Sequence, residues 1–213
     1  MFKNIEKTKY DIIFIDLCGT LVKENTTFDF LKKNNYINTK SSIYIFLRIL
    51  YKLTKIDILR KYIIYRLKGV NKDILIEQAK KYSNNCQYNQ EVLDIITLLS
   101  KDDTLKILCT ASLDFIAQSF SEKIDADNCY STTLSYNDKV CNGFITDDLL
   151  DRKSSVILKN HNTTKKKAIM ISDNFGDFEL KKYDIDFIAI SYSEKACQKW
   201  LSLGVKKIIR LSK

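Results

Sequence analysis

The sequence predicts an α/β fold, a doubly wound, Rossmann-like parallel sheet with an all-helical segment inserted after its first strand. Two observations carry this. Short continuous apolar runs, YDIIFI at 10–15, LKILCT at 105–110, KAIMIS at 167–172 and DFIAIS at 186–191, each stop at small or polar residues, as strands buried on both faces do. From residue 105 onward these runs alternate with helix-like segments, whereas residues 21 to about 100 read as successive helices.

The run at 10–15 ends in Asp16 and is followed by Gly19, the mark of a strand feeding a loop. Helices are then expected over 26–34, 42–53, 56–67 with Ile56, Leu59, Ile63 and Leu67 on one face, 71–83 capped by Asn71, and 89–100 capped by Asn89. After the strand at 105–110, a helix over 112–122 is opened by Ser112. TTLSYND and VCNGFIT, within 128–147, read as a hairpin. Helices over 153–160, 176–183 and 193–203 follow, the last capped by Ser193, and VKKIIRL is a final apolar run. The expected organisation is a core of residues 1–20 and 101–213 with a helical cap of residues 21–100 between its two parts.

At 213 residues there is room for one full domain and a small insert, and 45% hydrophobic with 29% charged residues is the balance of a folded chain, which excludes disorder. Lys and Arg outnumber Asp and Glu by 35 to 26, a bias toward anionic partners such as phosphorylated metabolites. The basic residues are scattered, with Lys165, Lys166 and Lys167 the only triplet, so no nucleic-acid partner is expected. Six cysteines at 18, 86, 109, 129, 141 and 197 form no Cys-x-x-Cys pair, and with a single histidine, His161, they do not make a zinc site. His161 sits in the polar run KNHNTTKKK and reads as a surface loop residue.

The N-terminal stretch MFKNIEKTKYDIIFID has an apolar run too short for a signal-peptide core, so a reducing cytoplasm with free thiols is the expectation. IYIFLRILY at 43–51 is interrupted by Arg48 and is about half the length of a spanning helix. It reads first as a buried lid helix, and second as an interfacial helix that brings the protein to a lipid-linked substrate.

In open α/β sheets ligands sit beyond the carboxyl ends of the strands, where Asp16, Thr110 and Asp173 all fall. Asp16 is followed by Leu17, Cys18, Gly19 and Thr20, a loop whose amides can cradle a phosphate. Phosphoryl transfer needs a nucleophile, a hydroxyl or amide gripping the phosphoryl oxygens, a fixed cation and carboxylates for Mg²⁺. Asp16, Thr110, Lys153 opening a helix, and Asp173 with Asp177 supply them in order. Mg²⁺ needs only one or two carboxylates, so Asp16 and Asp173 suffice with the backbone carbonyl of Cys18. Asp177, four residues after Asp173, is placed to hold Lys153. The plainer reading of Asp173 and Asp177 is a helix N-cap and a solvated helix residue. Glu24 and the aromatics of TTFDFL are assigned to helix packing.

The strings IIFIDLCGTLV, LCTAS, DRKSSVIL and MISDNFGDFEL resemble, in order, the four motifs of the haloacid dehalogenase superfamily, and the helical insert resembles its phosphoserine-phosphatase-like branch. The resemblance covers nearly the whole chain. It implies an Mg²⁺-dependent phosphomonoester hydrolase acting on a small phosphorylated alcohol, sugar or polysaccharide precursor. It further implies Asp16 as nucleophile of an aspartyl-phosphate, Thr110, Ala111, Lys153 and Gly19 around the phosphate, Asp16, Cys18 and Asp173 at the metal, and Asp177 and Thr20 in support. One position departs from the pattern: Cys18 stands where such phosphatases carry a second Asp, whose acid–base help is worth roughly 10² to 10⁴ in rate. The departure keeps open a weakly active phosphate-binding protein or phosphonate cleavage. Cys18 itself reads either as an acid or as a small space-filling residue.

Overall fold

The computed structural model describes residues 8–54, 57–161 and 163–211. Strand β1 (Ile12–Ile15) is followed by five helices, α1 (Thr26–Lys33), α2 (Ser42–Thr54), α3 (Ile58–Tyr65), α4 (Lys72–Asn84) and α5 (Gln90–Leu99). Then come β2 (Leu105–Leu113), α6 (Asp114–Lys123), β3 (Asn128–Asn137), β4 (Val140–Asp147), α7 (Lys153–Asn160), β5 (Ala168–Ser172), β6 (Asp186–Ser191), α8 (Glu194–Ser202) and β7 (Ile208–Arg210). The sheet order is β4-β3-β2-β1-β5-β6-β7, parallel throughout except for the β3–β4 hairpin.

β1 is the centre of this arrangement for a physical reason. Its four residues are all buried, and they alternate between the two faces: Ile13 and Ile15 join the apolar cluster shared with α1, α4, α5 and α6, while Ile12 and Phe14 join the one beneath Trp200 of α8. The chain leaves β1 for β2 on one side and later returns to β5 on the other, so the carboxyl end of β1 is a topological switch point.

The helices of the insertion are not a separate layer. Phe30 of α1 meets Phe115 of α6 edge to face at 5.2 Å, and Tyr82 of α4 meets Phe120 at 6.0 Å, so insertion and sheet share one apolar cluster. The helix boundaries follow their caps. Asn25, Asp57, Asn71 and Ser193 each accept an N–H from the first turn of α1, α3, α4 and α8. Asn89 occupies the cap position of α5 without such a bond, because its amide donates instead to the Thr20 carbonyl and, at 2.8 Å, to the Tyr192 hydroxyl.

Several expectations are corrected. β2 runs to Leu113 and α6 begins at Asp114, not Ser112, because the Ser112 N–H is taken by the Thr110 hydroxyl at 3.1 Å and the pairing register with β3 slips between Cys109 and Leu113. The segment Phe175–Tyr183 is 3₁₀, opened by Asn174 accepting the Gly176 N–H at 2.9 Å. Ile56 lies outside the described residues. His161 is half-buried instead of on the surface, its ring edge-on to Phe14 at 5.4 Å and its Nε2 paired with the Tyr130 hydroxyl at 3.0 Å. The largest correction is α2: of its thirteen residues only Tyr44 is buried, so it is not a buried lid helix. None of the described helices is long and apolar enough to cross a membrane.

Candidate active site

Asp16 extends β1 by one residue, its N–H donating to the Ile171 carbonyl at 3.0 Å, and is 4% exposed. Its Oδ1 accepts the Leu17 N–H at 2.8 Å and Lys153 Nζ at 2.7 Å, leaving Oδ2 only a 3.4 Å contact from the Ser172 hydroxyl. Lys153 is the first residue of α7, and its buried ammonium is shared between Asp16 and Asp177, the latter at 3.0 Å. Asp177 also accepts the Ser172 hydroxyl at 2.7 Å. Burial works against the charge of Lys153, but the two carboxylates outweigh it and hold its pKa above the ordinary lysine value.

Asp173 follows β5 directly. Its N–H donates to the Thr20 hydroxyl at 3.0 Å, and its carboxylate lies against Gly19, where a Cβ would come within 2.1 Å of Oδ2. Gly19, at φ +72°, is therefore demanded both by its left-handed backbone and by the nearness of Asp173. Burial and then the charge of Asp16 push the Asp173 pKa up to about 7, and burial also raises that of Asp177. Three carboxylates stand near one ammonium, which pairs with Asp16 and Asp177 but not with Asp173, an excess of negative charge that a divalent cation would relieve. Asp16 and Asp173 are hard oxygen donors, and Mg²⁺ takes one or two such carboxylates with waters and a carbonyl. No group of three or more His, Cys, Asp or Glu that could hold a metal ion by themselves is found among the described residues, so an ion here would rest on the two carboxylates with waters and a backbone carbonyl. The residues present fit the ion.

Cys18 faces this group from the loop after β1. Its sulfur lies 3.3 Å from the Thr26 hydroxyl, 3.3 Å from the Ser112 hydroxyl and 3.3 Å from the Thr26 N–H, which donates to it. Burial, followed by the charge of Asp16, pushes the thiol pKa up, so it keeps its proton at neutral pH.

Asp16, Cys18, Thr110, Ala111, Lys153, Asp173 and Asp177 all line one cavity of ≈ 1180 Å³, while Gly19 and Thr20 support it through Asp173. The upper wall comes from the insertion, through Phe28, Tyr44, Arg48, Tyr51, Leu59 and Arg60. Phe28 is thus a cavity residue as well as a packing one, whereas Phe30 is fully buried and Glu24 lies outside the main cavity.

Three contributors were not legible in the sequence. Ser172 stands in IMIS as a strand-end residue, yet it bridges Asp16 and Asp177 and accepts the Asn174 N–H at 3.0 Å. Arg60 of α3 forks onto Asp148 at 2.5 and 2.9 Å, and reaches the Ala111 carbonyl at 3.3 Å. Asp148 also accepts the Thr132 hydroxyl at 3.2 Å. The contiguity of Ser172 with Asp173 was the one available signal; Arg60 and Asp148 stand 88 positions apart and had none.

The model of the haloacid dehalogenase-like hydrolase family matches residues 13–181. No curated protein sequence matches the chain. Among solved structures, the chain is similar to a HAD family hydrolase from Salmonella enterica serovar Typhi, with TM-score 0.70 at 16% identity, covering 96% of this chain and 68% of that one. It is also similar to a Bordetella pertussis protein of unknown function, with TM-score 0.74 at 15% identity over 95% of this chain and 99% of that one. A phosphoserine phosphatase bearing an analogue of its phospho-aspartyl intermediate gives 0.64 at 15% identity over 97% and 96%. At these identities the structures establish the shared fold.

Proposed function

This chain belongs to the haloacid dehalogenase-like hydrolase family, and from that premise we propose that it is a Mg²⁺-dependent phosphatase that hydrolyses a phosphomonoester through an aspartyl-phosphate on Asp16. The observation that carries the reading is the buried Asp16–Lys153–Asp177 chain of contacts at the carboxyl end of β1, with Asp173 beside it. The phosphoserine phosphatase likeness supports the same chemistry.

One oxygen of Asp16 attacks phosphorus, the ester P–O bond breaks, and the leaving oxygen takes its proton from a water molecule, the hydroxide so formed being neutralised by the proton that the attacking water gives up in the second step. Water then attacks the phosphorus of the aspartyl-phosphate, releasing inorganic phosphate and restoring Asp16. Lys153 offsets the repulsion between the carboxylate and the anionic ester, and Asp177 with Ser172 fixes its position. The Thr110 hydroxyl accepts the Ser112 N–H, so its own proton is available to a phosphoryl oxygen, beside the Ala111 amide. Mg²⁺ would be held by Asp16, Asp173 and the Cys18 carbonyl, and supplies charge neutralisation at the phosphoryl group. Helices of residues 21–100 act as the cap over the leaving group. Cys18 holds its proton tightly, so it is a reluctant acid, and esters with good leaving groups should be preferred. That same residue favours the second reading, a phosphate-binding protein of slow turnover. The six cysteines are free, in keeping with a cytoplasmic enzyme.

A panel of phosphomonoesters incubated with the protein and Mg²⁺, read as released inorganic phosphate, tests this. Turnover that disappears in excess chelator and in Asp16→Asn is expected. Undiminished release under either condition overturns the mechanism, and stoichiometric phosphate binding without release on any ester favours the second reading.

A further inference from the structure

α2 is polarised the wrong way round for a helix facing water. Ile43, Ile45, Phe46, Ile49 and Leu53 are 59, 47, 64, 52 and 78% exposed, whereas the one buried side chain is Tyr44. By helical spacing Ile45, Phe46, Ile49 and Leu53 form one stripe roughly opposite Tyr44. Scattered exposed apolar residues are ordinary on a protein surface, but a contiguous row along one helix marks a face that something covers.

We propose that this face lies on an anionic lipid surface and that the phosphomonoester is drawn from it; the second half of the inference rests on the phosphatase reading above. Thirteen residues make a helix of about 20 Å, short of the ~30 Å apolar core of a bilayer, so α2 lies in the surface and does not cross it. The charged residues of α2 are Arg48 and Lys52, with no acid among its thirteen residues. By the same spacing both sit at the flank between the apolar stripe and the side facing the protein, where cations reach lipid headgroups while the stripe enters the acyl boundary. The net charge of +9 acts in the same direction. A second copy of the chain fits less well, because an antiparallel two-fold α2–α2 contact places the cations of both copies on the same flank.

The helix is also continuous with the site. Tyr44, Arg48 and Tyr51 line the cavity that contains Asp16, and Arg48 and Tyr51 are exposed, so the cavity reaches the surface alongside α2. Leu59 and Ile63 of α3 extend an apolar wall from that opening inward, and Leu150, 40% exposed, stands at its rim. A phosphate at Lys153 and an apolar tail along this wall describe an amphiphilic phosphomonoester whose tail remains in the lipid.

The test uses the full chain with vesicles of phosphatidylcholine alone or mixed with phosphatidylglycerol. The protein should sediment with the mixed vesicles and bind phosphatidylcholine alone roughly tenfold more weakly. The double variant Phe46→Ser/Ile49→Ser, whose residues lie outside the cavity lining, should lose about tenfold in vesicle affinity with an unchanged circular dichroism spectrum. It should match the parent on para-nitrophenyl phosphate, yet fall about tenfold behind it on phosphatidic acid carried in the vesicles. Failure to sediment removes the docking face and leaves the phosphatase reading intact. Sedimentation with no ester hydrolysed removes the phosphatase reading and leaves the docking face. Equal rates for parent and double variant on phosphatidic acid, or none for the parent while the soluble ester is hydrolysed, overturn delivery from lipid. A dimer that the double variant dissociates, without vesicle binding, shows the face to be a contact between copies.

Discussion

The floor and the roof of the cavity keep their polar groups in different ways. On the floor, Asp16, Lys153 and Asp177 are 4, 6 and 3% exposed and each is bonded to another, with the buried Ser172 hydroxyl donating to Asp177 and the buried Thr20 hydroxyl accepting the N–H of neighbouring Asp173. On the roof, Arg48 and Tyr51 are exposed, and α3 is held to the core by a forked ion pair, Arg60–Asp148, in which Asp148 is 38% exposed. Buried charges that share partners must be correct together, since an unpaired one costs several kcal/mol, roughly 3–5 when one member of a pair is removed. Exposed ones can vary singly at little cost. The contrast implies that floor substitutions lower turnover on every ester alike, whereas roof substitutions change which ester is preferred.

The largest effect is expected at Asp16. Asp16→Asn removes the carboxylate proposed as both nucleophile and metal ligand, and should lower kcat by roughly 10⁴-fold or more on every ester in the panel. A loss confined to some esters would break the contrast between floor and roof. Next comes Lys153→Met, which keeps the aliphatic bulk and deletes the ammonium that Asp16 and Asp177 share. A uniform drop of about 10² to 10³ in kcat is expected, with KM for phosphate esters raised as well. Steady-state kinetics across the panel would reveal it, and a drop below about tenfold would mean that another cation carries the charge.

Cys18 sits where floor meets roof, and substitution there sharpens the comparison by a gain. The sulfur is already surrounded by the Thr26 N–H and the Thr26 and Ser112 hydroxyls, three groups able to donate to a carboxylate. Cys18→Asp should therefore be accommodated and raise kcat on alkyl esters by about 10- to 100-fold, with little change on activated aryl esters. Cys18→Ala separates the two readings of the native residue: an acid predicts a large loss, a space-filling thiol little change. If Cys18→Asp improves no ester, the proton comes from elsewhere and the leaving-group argument fails.

How much of this was legible in the sequence follows the same division. The floor is made of residues at strand ends and helix starts, positions that local patterning fixes, so Asp16, Lys153, Asp173 and Asp177 could be singled out from their places after YDIIFI and IMIS and at the head of 153–160. The helices of the roof were legible as helices, but periodicity reveals an apolar stripe without saying which way it faces. Hence α2 was expected to be buried, and is exposed. Contacts such as Cys18 with Ser112, or Arg60 with Asp148, span 94 and 88 positions and depend on the register slip of β2 and on the packing of α3, which no local rule supplies.

The smallest effect is expected at the Arg60–Asp148 tie, and its direction with pH is definite. Burial pulls the Asp148 pKa up, but the Arg60 guanidinium and the Leu150 N–H outweigh it and leave the carboxyl below its ordinary value. A carboxyl depressed in the folded state stabilises the fold above its unfolded pKa of about 3.9, and that contribution is lost as pH falls through the lower folded value. With Asp148 partly exposed, solvent screening limits the pair to about 1 kcal/mol at most. Asp148→Asn should thus lower stability by no more than that at neutral pH, with the gap to the parent closing below about pH 4. The variant also frees Arg60 from one side while leaving its contact to the Ala111 carbonyl, so a change in ester ranking of a few-fold is expected without a uniform loss of kcat. Denaturant titrations of parent and variant at two pH values measure the first expectation, and the ester panel measures the second. A uniform kcat loss in Asp148→Asn comparable to that of Lys153→Met would move Arg60 from the roof to the floor.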